Sequence, residues 1–416
     1  MVFKPKSDFL KIMDERGFIQ DSTDLLKLDN IFLSEKIVAY IGYDATAKSL
    51  HVGHLVPIMM LRWLQKCGHK PITLIGGGTT KVGDPSFRSE DRPILTQDEI
   101  TSNIKSLKLI FTRYLEYSDV KNNAIMVDNS DWLSDINYLD FLRTIGKHFT
   151  VNKMLAFESV KSRIDREQSL TFLEFNYMIL QAYDFLELHK QYNCNLQLGG
   201  SDQWGNIVNG IELTRRAAGK SVSGMTCPLL STSSGQKMGK TQNGAVWLNS
   251  DLTSAYEFWQ FWRNTEDEDV ARFMKLFTEI PMKQCCEAER LKGSDLNIAK
   301  EQLATEVTAL CHGREAADKA RVTAKKVFTD GAIGEDLPTT ILNKHDIEND
   351  ITVSQLFIKA GLASSGKEIK RLIAGGSTRV NDILLSDNNL RVSGIGTSTV
   401  IKLSVGKKRH ALIKIS

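Results

Sequence analysis

A chain of 416 residues, 42% hydrophobic and 25% charged, is too long for one core and ordinary enough in composition to fold as a soluble protein, so two or three domains are expected. The opening stretch MVFKPKSDFLKIMDERG mixes charges into every turn, which excludes a secretory signal, and no later run reaches about 18 apolar residues, which excludes a membrane helix; a cytoplasmic protein is expected. The net charge of +3 selects no partner by itself.

Residues 37–43 (IVAYIGY) predict a short buried strand, and 72–76 (ITLIG), after Pro71, predict a second. Between them Leu55, Ile58, Met59 and Trp63 recur at helical spacing and Gly68 supplies a left-handed stop. A strand, a helix and a strand within about 40 residues imply a parallel, Rossmann-like sheet. The pattern continues with a strand near 124–127 and helices to about residue 190. From 254 to 328 the segments YEFWQFWRN, VARFMKLF and NIAKEQLATEVTALC are amphipathic helices with no strand signal among them. Residues 329–350 are acidic, contain Gly and Pro, and hold no sustained period. The expected division is therefore a sheet domain over 1–223, a loop and linker over 224–250, a helical domain over 251–328, a linker over 329–350 and a small basic α+β module over 351–416. That last module holds eleven Lys and Arg against Glu368, Asp382 and Asp387, a net of +8, which leaves −5 on the 350 residues before it. Such a basic end suits a polyanion.

The six cysteines lack a C-x-x-C pair and any His at zinc-finger spacing, so they are expected as thiols, with no metal site. Adjacent Cys285 and Cys286 would point about 100° apart on a helix, which disfavours a redox pair.

Two segments carry chemistry. Thr46-Ala-Lys-Ser-Leu-His51-Val-Gly53-His54 falls where the first strand gives way to the helix, the place where ligands bind in an open parallel sheet. Free N–H groups there favour an anion, the two imidazoles can donate to phosphate oxygens, and Gly53 lets a ring or ribose approach the backbone. Gly235-Gln-Lys237-Met-Gly239-Lys240-Thr241 reads as a mobile loop whose two lysines close on a polyphosphate. Gly78-Thr-Thr-Lys-Val-Gly83 has P-loop spacing but is followed by Asp84-Pro85, so it lacks the phosphate-gripping lysine, and no G-x-G-x-x-G opens a helix.

H-V-G-H early in the sheet and K-M-G-K-T roughly 190 residues later resemble the two signatures of class I aminoacyl-tRNA synthetases. Tyr40-Ile-Gly42-Tyr-Asp44-Ala-Thr46, Gly83-Asp84-Pro-Ser, Tyr177-Met-Ile-Leu-Gln181-Ala-Tyr-Asp184 and Gln197-Leu-Gly-Gly200-Ser-Asp202-Gln203-Trp-Gly-Asn206 look like the bacterial tyrosyl-tRNA synthetases, a resemblance running from about residue 5 to the end of the chain. It implies activation of L-tyrosine with ATP, carrying Mg²⁺ on its triphosphate, and transfer to tRNA(Tyr), with no permanently bound cofactor and no covalent nucleophile. Tyr40 and Asp184 would meet the phenol hydroxyl; Asp84, Tyr177 and Gln181 the α-ammonium, the last two and Asp184 lying on one helix face. Gly200 and Asp202 would contact the ribose and Gln203 the reacting carboxylate or the α-phosphate region. Thr46, His51, His54, Lys237 and Lys240 would grip phosphates, with Gly42 and Gly53 also on the ATP side, and Asp44 would order the pocket. The basic module resembles an RNA-binding fold shared with a ribosomal small-subunit protein, with Lys367, Lys370 and Arg371 on one helix face as a phosphate track, to which Lys407, Lys408 and Arg409 could add. The resemblance also implies a homodimer with residues 129–153 in contact. Gly239, Ala45 and Phe87 depart from the expected Ser, Pro and Gly. The alternatives are a tryptophanyl-type enzyme and a catalytically silent RNA-binding relative.

Overall fold

Uninterrupted apolar runs mark strands covered on both faces, and six strands form the first sheet: β1 (Asp21–Ser22), β2 (Val38–Asp44), β3 (Lys70–Gly76), β4 (Ile125–Asp128), β5 (Leu196–Gly200) and β6 (Ser223–Cys227). The computed structural model describes residues 3–85, 94–118, 120, 122–235, 238–241, 244–330, 337–343, 351–392, 400–406 and 409–415. The order is β1-β6-β5-β2-β3-β4, parallel except for the edge strand β1. Pro71, which the sequence places before its strand, lies inside β3 but precedes the first rung to β4, Ile72 with Ile125, so its missing N–H interrupts no ladder. Helices Leu55–Lys66, Gln97–Tyr114, Phe172–Tyr192 and Trp204–Ala218 cover the faces. Tyr40, Ile72, Leu74, Phe185 and Leu188 make one buried cluster of this core.

From β2 the chain winds outward through β3 and β4, and then returns to β2's other side with β5 and β6, so the winding reverses between β2 and β5. Those two strands pair only at Ala39 with Leu196 and Tyr40 with Gln197, although β2 runs on to Asp44 and β5 to Gly200. They splay apart beyond that point, which opens a crevice at their carboxyl ends. Gly42 is consequently exposed in the middle of an otherwise buried strand.

The chain divides into two compact units, 1–239 with 271–290, and 240–270 with 291–416. In the second, helices Ala255–Arg263, Gly293–His312 and Arg314–Asp330 pack together, with the Trp259 indole N–H donating to Thr305 Oγ1 at 3.1 Å. Its carboxyl-terminal part folds as a five-stranded sheet with helices Val353–Lys359 and Gly366–Ala374 around Leu356, Phe357, Ile369, Leu403 and Ile413. Thr339–Leu342, assigned above to a linker, is an edge strand of that sheet, parallel to Arg409–Ile415. Of its four residues only Leu342 is buried, which is too little apolar patterning to register in the sequence. Lys367, Lys370 and Arg371 are exposed on the helix whose other face buries Ile369 and Ile373. Lys407 and Lys408 lie outside the described residues. All six cysteines are free, and no helix among the described residues is long and apolar enough to cross a membrane.

Candidate active site

The helix Phe172–Tyr192 opens on a capping box between Thr171 and Glu174 and ends at Asn193 in the left-handed conformation, which sets the rotation of its polar stripe. Tyr177 and Asp184 are thereby buried under the crevice. The Tyr177 hydroxyl donates to Asp44 Oδ2 at 3.1 Å, and Thr79 Oγ1 donates to Asp44 Oδ1 at 2.8 Å. Asn129 Nδ2 is 3.0 Å from both Thr79 Oγ1 and Asp184 Oδ2, while the Trp132 indole N–H donates to Asp184 Oδ1 at 2.8 Å. A continuous polar chain thus joins the ends of β2, β3 and β4 to the helix.

Asp184 is 2% exposed. Burial lifts its carboxyl to about 7 against the opposing pull of the Asn129 and Trp132 donors. Burial likewise raises the phenols of Tyr40 and Tyr177, each further raised by nearby carboxylates: Asp184 for Tyr40; Asp44, Asp84 and Asp184 for Tyr177. Both tyrosines therefore stay protonated, available as donors. Two buried polar atoms here have no hydrogen-bond partner among the described residues, Tyr40 Oη and Gln181 Oε1. Such atoms are costly unless a ligand completes them.

A second cluster lies at the end of β5. Gln203 Nε2 donates to Asp84 Oδ2 at 2.9 Å, and Gln203 Oε1 accepts from Gln181 Nε2 at 3.3 Å and Asn206 Nδ2 at 3.1 Å. Gly200 brings its backbone so close to Asp202 that a Cβ would stand 2.5 Å from Oδ1.

The H-V-G-H segment forms a single tight turn. Gly53 N donates to His51 Nδ1 at 3.0 Å and His51 N donates to His54 Nδ1 at 3.2 Å, the rings lying 4.1 Å apart. Because His51 Nδ1 accepts from Gly53 N, its Nε2 carries the proton and serves as a donor, whereas His54 Nδ1 faces both His51 N and, at 3.3 Å, the His51 carbonyl, so its role follows its tautomer. His51 is thus a helix cap and a presented N–H donor at once. Thr46 is exposed on the loop above the turn.

Met238 and Gly239 pack on this turn. Gly239 has φ of +83°, and a Cβ there would come within 2.7 Å of Val52 Cγ2 and 3.3 Å of Gly53 N. The side chain expected at this position would be strained in that conformation and would strike Val52. A left-handed non-glycine residue costs about 1.4 kcal/mol, roughly tenfold in the docked population. Gly239→Ser is therefore expected to speed trypsin cleavage at the loop lysines about tenfold while leaving the thermal midpoint nearly in place; an unchanged cutting rate would show that the loop is not held by this contact.

Tyr40, Asp44, Asp84, Tyr177, Gln181, Asp184, Asp202, Gln203, His51 and His54 all lie in the first unit, and the hydrogen bonds above join most of them. Lys237 and Phe87 fall outside the described residues, and Lys240 is described only as the start of a two-residue strand. The sequence reading missed Thr79, Asn129, Trp132 and the bridging role of Asn206. Thr79 follows a run of three glycines at the end of β3, and Asn129 and Trp132 follow β4, so the carboxyl-end rule was the signal available. Asn129, expected in a contact between subunits, is 1% exposed and bound to Asp184. 

Residues 33–329 match the family described as tRNA synthetases class I (W and Y). The chain is 60% identical to a tyrosine-tRNA ligase of Ruegeria pomeroyi over 416 residues, covering 100% of both chains, and 59% identical to one of Dinoroseobacter shibae over 414 residues, covering 100% of this chain and 99% of that relative. Among solved structures, a carboxyl-terminally truncated mitochondrial tyrosyl-tRNA synthetase of Aspergillus nidulans superposes with a TM-score of 0.70 at 29% identity, over 78% of this chain and 95% of that one.

Proposed function

The chain belongs to the class I tRNA synthetases of the W and Y family, and from that premise and the pocket we propose that it is a tyrosine-tRNA ligase. The observation that carries this reading is the buried Asp184 carboxylate, held by Asn129 and Trp132, beside a Tyr40 hydroxyl with no partner among the described residues. A phenol hydroxyl satisfies both at once, donating to the carboxylate and accepting from Tyr40. An indole offers one N–H and no acceptor, which leaves Tyr40 unpaired and disfavours tryptophan. Gln181 Oε1, Asp84 and the Tyr177 oxygen suit the α-ammonium of the same substrate.

The tyrosine carboxylate attacks the α-phosphorus of ATP; an O–P bond forms, the bond to the bridging oxygen breaks, and pyrophosphate leaves with that electron pair. His51 and His54 donate from Nε2 to the phosphates, Lys237 and Lys240 add positive charge, and Thr46 lines the same loop. Mg²⁺ arrives on the triphosphate as part of the substrate. Gly200 and Asp202 hold the ribose, Gly42 and Gly53 leave room for the nucleotide, and Gln203 steers the reacting carboxylate. A terminal hydroxyl of tRNA(Tyr) then displaces AMP from the adenylate.

The basic module carries the tRNA through Lys367, Lys370 and Arg371, a phosphate track whose binding weakens with salt. Within residues 129–153, Tyr138, Leu139 and Val151 are exposed apolar side chains that suit contact with a second copy of the chain, and the protein acts in the cytoplasm, off the membrane. Exchange of labelled pyrophosphate into ATP, run with tyrosine, phenylalanine and tryptophan, tests the reading. Exchange is expected with tyrosine alone; exchange with tryptophan would establish the sister specificity, and none with any amino acid would leave a silent RNA binder.

A further inference from the structure

Thr80 and Asn103 together hold both polar atoms of the residue that separates Asp44 from Thr46. Ala45 N donates to Thr80 Oγ1 at 2.8 Å, and Asn103 Nδ2 donates to Ala45 O at 2.9 Å. Ala45, Thr80 and Asn103 are all buried. The Thr80 hydroxyl passes its own proton to the Gly76 carbonyl, so one oxygen accepts from the first residue after β2 and donates to the last residue of β3. Asp44 and Gly76 are opposed in the β2–β3 ladder, which makes Thr80 the rivet between the two strand ends at the lip of the crevice. Its neighbour Thr79 meanwhile grips the Asp44 carboxylate.

We propose that Thr80 is a positioning residue that aims the Asp44–Thr46 turn at the ATP phosphates, and that it is locked in covariation with the residue at 45 through a single N–H. This rests on the ligase reading above for its consequence but not for its geometry. Every residue except proline at 45 presents the N–H and requires the Thr80 oxygen. Proline there carries ring carbon where the hydrogen stood and collides with that oxygen. Removing the Ala45 N–H and the Thr80 oxygen together strands neither of those two and leaves only the Gly76 carbonyl short of a donor, whereas Ala45→Pro alone sets ring carbon against the oxygen and Thr80→Ala alone strands the N–H as well as that carbonyl.

The test is a double-mutant cycle of Ala45→Pro, Thr80→Ala and the pair, with Thr80→Ser as the conservative control. Each is measured by thermal unfolding and by tyrosine-dependent pyrophosphate exchange, and tyrosine affinity is read separately by equilibrium titration. Each single change is expected to lower kcat/KM for ATP about tenfold with tyrosine affinity held, the pair to recover to within about threefold of the unmodified chain, and Thr80→Ser to match it. Additive effects in the cycle would overturn the proposal. So would coupling in the melting curves with ATP kinetics alike in every variant, since the rivet would then hold only the fold. If the unmodified chain exchanged no pyrophosphate, the ligase reading would fall together with the aiming role, while the melting cycle would still decide whether residues 45 and 80 are locked.

Discussion

Asp184→Asn is expected to lower kcat/KM for tyrosine by roughly a hundredfold, the equivalent of about 3 kcal/mol, in the range lost when a charged acceptor is taken from a buried hydrogen bond. Asparagine is nearly isosteric, but its amide nitrogen cannot accept. One of the two donors from Asn129 and Trp132 is then stranded, and the phenol O–H loses its charged acceptor. The pH dependence separates this from a packing defect. Only the ionised carboxylate accepts the phenol proton well, and its carboxyl is lifted to about 7 by burial. Tyrosine affinity should therefore climb as pH rises through about 7 and then level off, and the variant should show no such step. Stability runs the other way. Because the folded form holds the proton more tightly than the ordinary carboxylate at 3.8, the empty protein loses stability between that value and about 7, and Asp184→Asn removes that slope. Urea unfolding across this range, without tyrosine, reads the second effect. Parallel slopes in the two proteins would mean that Asp184 is not the titrating group.

His51→Asn is expected to lower kcat for pyrophosphate exchange about a hundredfold, with KM for tyrosine unchanged and the thermal midpoint within about 2 °C of the parent. Under the proposed reading His51 caps the turn through Nδ1 and donates to phosphate through Nε2, and asparagine keeps only the first of these. Its side-chain oxygen reproduces the cap on Gly53 N, since Asn is among the best residues at that position. It is too short to replace an imidazole Nε2 donor at a phosphate. A near-normal kcat would assign His51 to capping alone; a loss of kcat matched by a large fall in midpoint would mean that the turn itself had come apart.

Much of this was legible in the linear order of residues, and the reason is locality. β2, the H-V-G-H turn and the helix after it are contiguous, so their period and capping chemistry appear within a single window. Tyr177, Gln181 and Asp184 share a helix, and the spacing alone puts them on one face. The short strand at 339–342 was not legible, because its place in the sheet comes from pairing with a strand some seventy residues later and not from its own pattern.

Residue order, then, pointed to the candidate groups: the histidines, the carboxylates and the lysines of the two signatures, whose chemistry depends on type and near-neighbour spacing. It did not specify who holds them. Asn129 and Trp132 reach Asp184 across more than fifty residues, Thr79 reaches Asp44 across 35, and Gln203 reaches Asp84 across 119. Those pairings exist because β2, β3, β4 and β5 end at one lip of a twisted parallel sheet, and because β2 and β5 part after two rungs to leave a crevice there. Strand order and splay are products of the whole core packing at once, a property that no short stretch of chain contains.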